Sequence, residues 1–296
     1  MKIALGSAQF GYKYGVLRTS EGPDESEVSA ILDYAAKNNI TVIDTAANYG
    51  RSEEVIGRNI VNSNWRVFTK TGKIEPELDV KQNIEEIRRG FSSSLRKLRL
   101  SKVEGLLVHR ADDILNPAGQ EIFAALNSLK SCGMVNKIGV SVYTQEQIDF
   151  ILDNYTIDII QLPFSILDQR LLYSGHLSRL KECGIEIHAR SIFLQGIAIA
   201  PPEIVPCYFS PIKNNLTLLK EIASIKHLTP LGLSLGFVLG VPEIDQIIVG
   251  VESRVQLEEI LRFCDVEIDP LELRNVAVDY PKYLNPSLWP AITPHS

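Results

Sequence analysis

In the stretch TVIDTAANYG, residues 41–50, a β-branched apolar run stops at Asp44, and Tyr49 follows five residues later, just before a glycine. Thr, Val and Ile favour strands, so Thr41–Ile43 reads as a buried strand with an acid at its mouth. The same arrangement recurs along the chain. Lys70 follows VFT (67–69), His109 follows LLV (106–108), Ser141 follows IGV (138–140) and Gln161 follows IDII (157–160). Arg190 follows IEIHA (185–189), Gly250 follows IIV (247–249), and Ser7 stands just past Gly6 after IAL (3–5). Each has an ordinary account when taken alone. A carboxylate caps turns, a strand-end lysine reaches water, and a lone histidine after a strand is more often structural than catalytic. Ionisable and hydrogen-bonding groups at the ends of successive strands are, together, what a reaction site requires.

The elements that must position these residues follow from the same runs. Eight short apolar runs alternate with helical patterns such as SEVSAILDYAAKNN and VKQNIEEIRRGFSSSLRKL. In the second, Ile84, Ile87, Phe91, Leu95 and Leu98 recur every three or four residues and paint one helix face. Eight strands alternating with helices imply parallel pairing through right-handed crossovers, and the count of eight predicts a closed (β/α)8 TIM barrel. In such a barrel the C-terminal strand ends converge on one face, which carries the active site. An open doubly wound sheet usually announces itself by a GxGxxG turn after its first strand, which this chain lacks. No linker or low-complexity stretch divides the chain, so a single domain over residues 1–296 is expected. Residues 189–247 form the longest interval between strands. It opens with the Pro-rich stretch IAIAPPEIVPCYFSP, a candidate substrate-covering loop. LTPLGLSLGFVLG then reads as a helix capped by Thr229 with Pro230 in its first turn, its glycines 232, 236 and 240 packing closely on the barrel.

Composition narrows the partners. A net charge of −6 argues against nucleic acid or an anionic membrane surface, and no run of about 18 apolar residues spans a membrane. The N-terminus does not read as a signal peptide. Cys132, Cys183, Cys207 and Cys264 lie far apart with no CxxC pair, which suggests buried thiols in a reducing cytoplasm and no metal site.

The segment DTAANYGRSEEVIG resembles the strand-2 signature of the aldo-keto reductases, an Asp followed by Tyr-Gly and then Ser-Glu with a later Gly. FTK, LLVHR, GVS, IIQLPFS and IIVGVESRVQLEEIL resemble the family's later landmarks, in the family's order and across essentially the whole chain. The resemblance implies a catalytic tetrad at Asp44, Tyr49, Lys70 and His109. It implies an NAD(P)H-dependent reduction of a small-molecule aldehyde or ketone. Tyr49 would be the general acid, Lys70 would lower its pKa, Asp44 would hold Lys70, and His109 would orient the carbonyl oxygen. Ser141 and Gln161 match the positions that hold the nicotinamide carboxamide, and Ser7, Arg190 and Gly250 fall in the same cofactor-lining set. Ser253, Arg254 and Gln256 begin the helix after strand 8. Ser253 and Gln256 also spell an S-x-x-Q capping box, while a helix start is a good seat for phosphate. Arg254 would add a fork for a 2′-phosphate, so NADP(H) is expected over NAD(H). Glu252 counts the other way, since it could accept from a ribose hydroxyl.

The chain departs from the family pattern at Val142, Arg190, Gln256 and Ile260. Those departures keep open a second reading, a nucleotide-binding sensor or subunit with little turnover. A hydrolase using paired carboxylates is a third, weakened by a strand-end set with one acid. Phe10, Phe164, Phe193 and the tail 280–290 are candidates for aromatic walls or for core packing.

Overall fold

The computed structural model describes residues 1–12, 14–17, 22–60, 64–75 and 78–290. Eight strands close into one parallel barrel: β1 (Ile3–Gly6), β2 (Val42–Asp44), β3 (Arg66–Lys70), β4 (Val103–Val108), β5 (Val135–Ser141), β6 (Ile159–Pro163), β7 (Glu186–Arg190) and β8 (Gln246–Gly250). β8 closes the ring onto β1, with Gly6 opposite Gly250. Several strands run further than their apolar runs. Asp44, Lys70, Ser141, Gln161, Arg190 and Gly250 belong to the strands themselves. β6 starts later than expected, at Ile159, because the Asp158 carboxylate takes the Ile138 N–H and pairs with Lys130.

Alternation along the strands decides what reaches the mouth. Ala4, Val42, Phe68, Leu107, Ile159 and Ile248 form a small cluster separate from the main core between strands and helices. Successive strand side chains face opposite ways, so the residues two positions further on share the side of this cluster. Those residues are Gly6, Asp44, Lys70, His109, Gln161 and Gly250. The period of two thus brings the strand-end groups together.

The principal helices are α1 (Glu25–Lys37), α2 (Ser52–Asn59), α3 (Val80–Leu98), α4 (Gly119–Ser131), α5 (Gln145–Asn154), α6 (His176–Glu182), α7 (Lys213–Ile225), α8 (Pro230–Leu239) and α9 (Arg254–Leu261). α3 covers the residues expected of it and starts on an Asp79–Gln82 capping box. α8 is capped by Thr229, whose hydroxyl accepts from Gly232 N–H at 3.1 Å. The α8 glycines do pack closely, but against the chain that follows α9: a Cβ on Gly240 would lie 2.1 Å from the Ile268 carbonyl oxygen.

The cysteines depart from expectation. All four are free, but Cys132, Cys183 and Cys207 are exposed and Cys264 is half-buried. Cys132 and Cys183 end α4 and α6 at C-cap positions, where the chain turns at the surface. Among the described residues, no single helix is long and apolar enough to cross a membrane.

Candidate active site

The innermost feature of the mouth is a buried ion pair. Lys70 Nζ, at the end of β3, donates to both Asp44 oxygens, at 2.8 and 2.7 Å, and to the Thr45 carbonyl at 2.9 Å. Those contacts use all three ammonium protons. Gln161 Nε2, from β6, donates to Asp44 Oδ1 at 2.8 Å. Burial pulls the Lys70 pKa down and Asp44 opposes it. A hydroxyl cluster fixes the strand ends. Ser7 Oγ donates to the Asp44 carbonyl at 2.8 Å, and Ser52 Oγ lies 2.7 Å from Ser7 Oγ and 3.1 Å from Thr45 Oγ1. On the opposite face of β3, Thr69 Oγ1 donates at 2.7 Å to buried Glu53, whose carboxyl burial pushes up.

Tyr49 reaches the pair from the turn after β2. Its turn needs glycine on both sides: Gly50 has φ +55°, and a Cβ on Gly11 would lie 1.6 Å from the Tyr49 carbonyl oxygen. Lys70 Nζ lies 5.1 Å from the Tyr49 ring centroid, and the His109 ring stands edge-on at 5.7 Å. Opposing effects meet at the phenol. Burial, followed by Asp44, Tyr14 and Tyr12, holds the phenol well above its ordinary pKa, and the opposing cation is Arg190. The Lys70 protons all go to Asp44 and Thr45, so none hydrogen-bonds the phenol.

His109 is lowered to about 4, by burial first and then by Lys70, so its imidazole is neutral at pH 7. Its Nδ1 is buried without a hydrogen-bond partner, while its backbone N–H donates to Thr71 Oγ1 at 3.2 Å. Arg190, at the end of β7, donates to the Val142 carbonyl at 2.9 Å and stacks 4.1 Å from the Tyr143 ring centroid. One face of its guanidinium is therefore already covered.

An open cavity of about 500 Å³ runs from this corner toward α9, a volume typical of small-molecule sites. Asp44, Tyr49, Gln161 and Arg190 line it, as do Gly250, Glu252, Gln256 and Glu259. The loop after β7 adds to the wall: Leu194, Gln195 and Gly196 all have positive φ, and Phe193, Gln195 and Gly196 face the cavity. Ser7 is at the wall with its hydroxyl spent on Asp44. Ser141 is buried and does not line the cavity.

Of the three residues assigned after β8, Gln256 lines the cavity. Neither Ser253 nor Arg254 lines the cavity. Arg254 lies over the Tyr34 ring at 5.4 Å and pairs with Glu258 at 3.7 Å. The capping box is displaced by one residue: Ser253 Oγ accepts from Gln256 N–H, but Gln256 Oε1 accepts from Glu252 N–H at 2.8 Å. Of the aromatic candidates, Phe193 lines the cavity. Phe10 and Phe164 are core residues, and the tail packs its Tyr283 and Trp289 rings on Phe209. Gln9 and Tyr14 line the cavity and Tyr12 abuts Tyr49, contributions that no strand-end pattern signals, because all three follow β1 in a short helical turn and loop.

The model of the Aldo/keto reductase family matches residues 2–277. The chain belongs to the aldo/keto reductase family. Among curated relatives, D-arabinose 1-dehydrogenase of Saccharomyces cerevisiae is 26% identical over 156 residues, covering 50% of this chain and 44% of that protein. NADH-specific methylglyoxal reductase of Escherichia coli is 28% identical over 189 residues, 57% of each. The chain spans about half the length of the curated relatives it matches. Among solved structures, aldo-keto reductase AKR11C1 from Bacillus halodurans superposes with a TM-score of 0.74 at 18% identity, covering 96% of this chain and 95% of that one. Glycerol dehydrogenase AKR11B4 from Gluconobacter oxydans gives 0.73 at 20% identity, covering 93% and 90%. These likenesses show that this aldo/keto reductase shares their barrel.

Proposed function

We propose that this aldo/keto reductase reduces an aldehyde or ketone on a small molecule, with Tyr49 supplying the proton. The observation that carries the proposal is that Asp44 and Tyr49 line an open cavity, with Lys70 and the neutral His109 imidazole standing behind its wall against the Tyr49 ring. A nicotinamide dinucleotide fits the donor set along that cavity: side-chain amides at Gln9, Gln161 and Gln256, and backbone turns at 194–196. When bound, it supplies the hydride that adds to the carbonyl carbon.

The chain's own part is to place the oxygen and protonate it. His109, neutral at pH 7, can donate from one ring nitrogen to the carbonyl oxygen and hold it near Tyr49. As negative charge develops on that oxygen, the Tyr49 phenol transfers its proton, and the nearby Arg190 and Lys70 cations stabilise the phenolate left behind. Asp44, tied to Lys70 and Gln161, keeps the lysine in place. In this reading Gln161 serves as a support of the ion pair as well as a candidate cofactor contact. NADP(H) preference loses its ground, because Arg254 is turned onto Tyr34. The four free thiols suit a reducing compartment such as the cytoplasm.

The departures from the family pattern at Val142, Arg190, Gln256 and Ile260 carry the second reading, a dinucleotide-binding protein with little turnover. One experiment separates them: titration with NADH and NADPH, followed by a screen of aldehydes and ketones. Binding with turnover supports the reductase. Tight binding with no turnover across the screen supports the sensor, and no binding of either dinucleotide removes both.

A further inference from the structure

We infer that Arg190 selects carbonyl substrates that carry a carboxylate, binding that group while the carbonyl is presented to Tyr49. The inference rests on the reductase reading above and names the substrate class of the same site. Among the described residues that line the cavity, Arg190 is the one cation. Its place follows from β7. His188, two residues earlier, packs on Phe68 inside the barrel with ring centroids 4.8 Å apart. The period of two therefore turns Arg190 to the same inner side, where it lines the cavity with Asp44, Tyr49 and Gln161. Burial raises the Tyr14 and Tyr49 phenols, but the Arg190 charge acts on both and draws them down. The cation thus stands within electrostatic reach of the proton donor.

Arg190 is held but not neutralised. Its guanidinium donates to the Val142 carbonyl at 2.9 Å and to Ser191 Oγ at 3.3 Å, and its Cζ lies 4.1 Å from the Tyr143 ring centroid. None of these partners is a carboxylate, and no carboxylate pairs with Arg190 among the described residues. Lys70, by contrast, is saturated by Asp44 and the Thr45 carbonyl. Two neutral acceptors leave part of the five-donor guanidinium fork free, and a carboxylate fits that fork through parallel, charge-assisted hydrogen bonds. One unit of positive charge balances a carboxylate. A phosphate dianion would leave negative charge uncompensated in a cavity that Asp44 already lines. The backbone beside the arginine is strained: Ser191 has φ +62°, a left-handed conformation uncommon outside glycine. Strain of that kind persists at ligand clamps, where the surroundings enforce it. An arginine already immobilised by Val142, Tyr143 and Ser191 gives up little further freedom on binding. Substrates of this class are keto acids and aldehyde acids, and the product is a hydroxy acid.

The test pairs each acid with its neutral ester. Reduction of meta- and para-carboxybenzaldehyde and of their methyl esters is measured on the intact protein with NADH and with NADPH, for wild type, Arg190→Met and Arg190→Lys. The ester is intrinsically the more electrophilic aldehyde, so a preference for the acid cannot arise from reactivity. Wild type is expected to favour an acid in kcat/KM by about tenfold or more, as a charge-assisted pair warrants, chiefly through KM. Arg190→Met should abolish that preference, whatever it costs on the ester, and Arg190→Lys should keep part of it. Arg190→Gln, which retains a donor for the Val142 carbonyl, gives the same reading if the methionine variant folds poorly. A wild type that favours neither acid overturns the inference and leaves the reductase standing. A preference that survives the neutral variants overturns the assignment to Arg190. An unchanged preference with weaker dinucleotide binding, followed by fluorescence, overturns it too and gives the arginine to the diphosphate of the cofactor. Calorimetric titration with the acids and esters separates the two readings. Acid binding that needs Arg190, without reduction of any aldehyde, supports the carboxylate site and overturns the reductase.

Discussion

At the N-terminal end of the barrel strands, Arg66 donates to Glu104 at 3.3 Å, Lys137 pairs with both Glu104 and Glu186, and His188 Nε2 lies 2.9 Å from Glu186. At the C-terminal end, Lys70 gives every proton to Asp44 and Thr45, while Arg190 has no carboxylate partner among the described residues. The first end carries an ionic belt across β3, β4, β5 and β7 in which Arg66 and Lys137 meet carboxylates. Its hydrogen bonds from His188 and Lys137 hold Glu186 at about 2, against the burial that would raise it. The second end concentrates cations around a raised phenol and an imidazole lowered to about 4. Charges paired among themselves serve the fold; charges left facing a cavity await a reactant. The division matches the general rule that barrel stability resides at one end and chemistry at the other.

The largest effect that sharpens this contrast is expected at Lys70. Lys70→Met leaves Asp44 as a buried, unpaired acid, so unfolding free energy should fall by about 3–5 kcal/mol. Carbonyl reduction should fall by about 100-fold or more, since the loss removes a cation beside the general acid. Chemical denaturation and steady-state rates on the folded fraction measure both. A variant with wild-type stability and turnover would erase the distinction between the two ends.

Acid should act on the mouth before the belt. The folded-state pKa of His109, about 4, lies below its ordinary value of 6.5, so the unfolded chain takes up a proton first. Stability should therefore decline as pH falls from about 6.5 to about 4, by at most about 3 kcal/mol from this group. Glu186 is also depressed, from 4.5 to about 2, and its contribution should be lost only in that lower window. Denaturation midpoints measured against pH, with His109→Gln as control, test the order. A His109→Gln profile parallel to wild type between pH 6.5 and 4 would remove the histidine's part.

The smallest effect belongs to the belt. Glu186→Gln should cost about 1–2 kcal/mol, because solvent at the barrel rim screens its pairs, and should leave kcat and KM unchanged. A marked change in kcat would mean that the belt is coupled to the mouth.

Much of this arrangement was legible in the sequence. β-branched runs specify the strands, and the convergence of their C-terminal ends in a barrel groups Asp44, Lys70, His109 and Gln161. The errors have a common cause. Whether Arg254 points into the cavity is decided by Tyr34 and Glu27, residues 220 or more positions earlier that α1 brings against α9. The S-x-x-Q spacing is a local rule, yet Gln256 found the Glu252 N–H one residue further back. Cysteine is commonly a buried residue type, but C-cap positions put Cys132 and Cys183 at the surface.

The central claim, that the phenol at the mouth is the proton donor, is tested most directly by Tyr49→Phe. Phenylalanine keeps the ring that packs against Lys70, His109 and Tyr12 and removes only the hydroxyl. NADH binding by fluorescence and steady-state rates with a nitrobenzaldehyde and with a quinone would be compared between wild type and variant. The expected result is unchanged dinucleotide affinity, aldehyde reduction lowered by about 10²–10⁴, and quinone reduction largely retained, because hydride transfer to a quinone needs little help from a proton. An aldehyde rate equal to that of wild type would contradict the account.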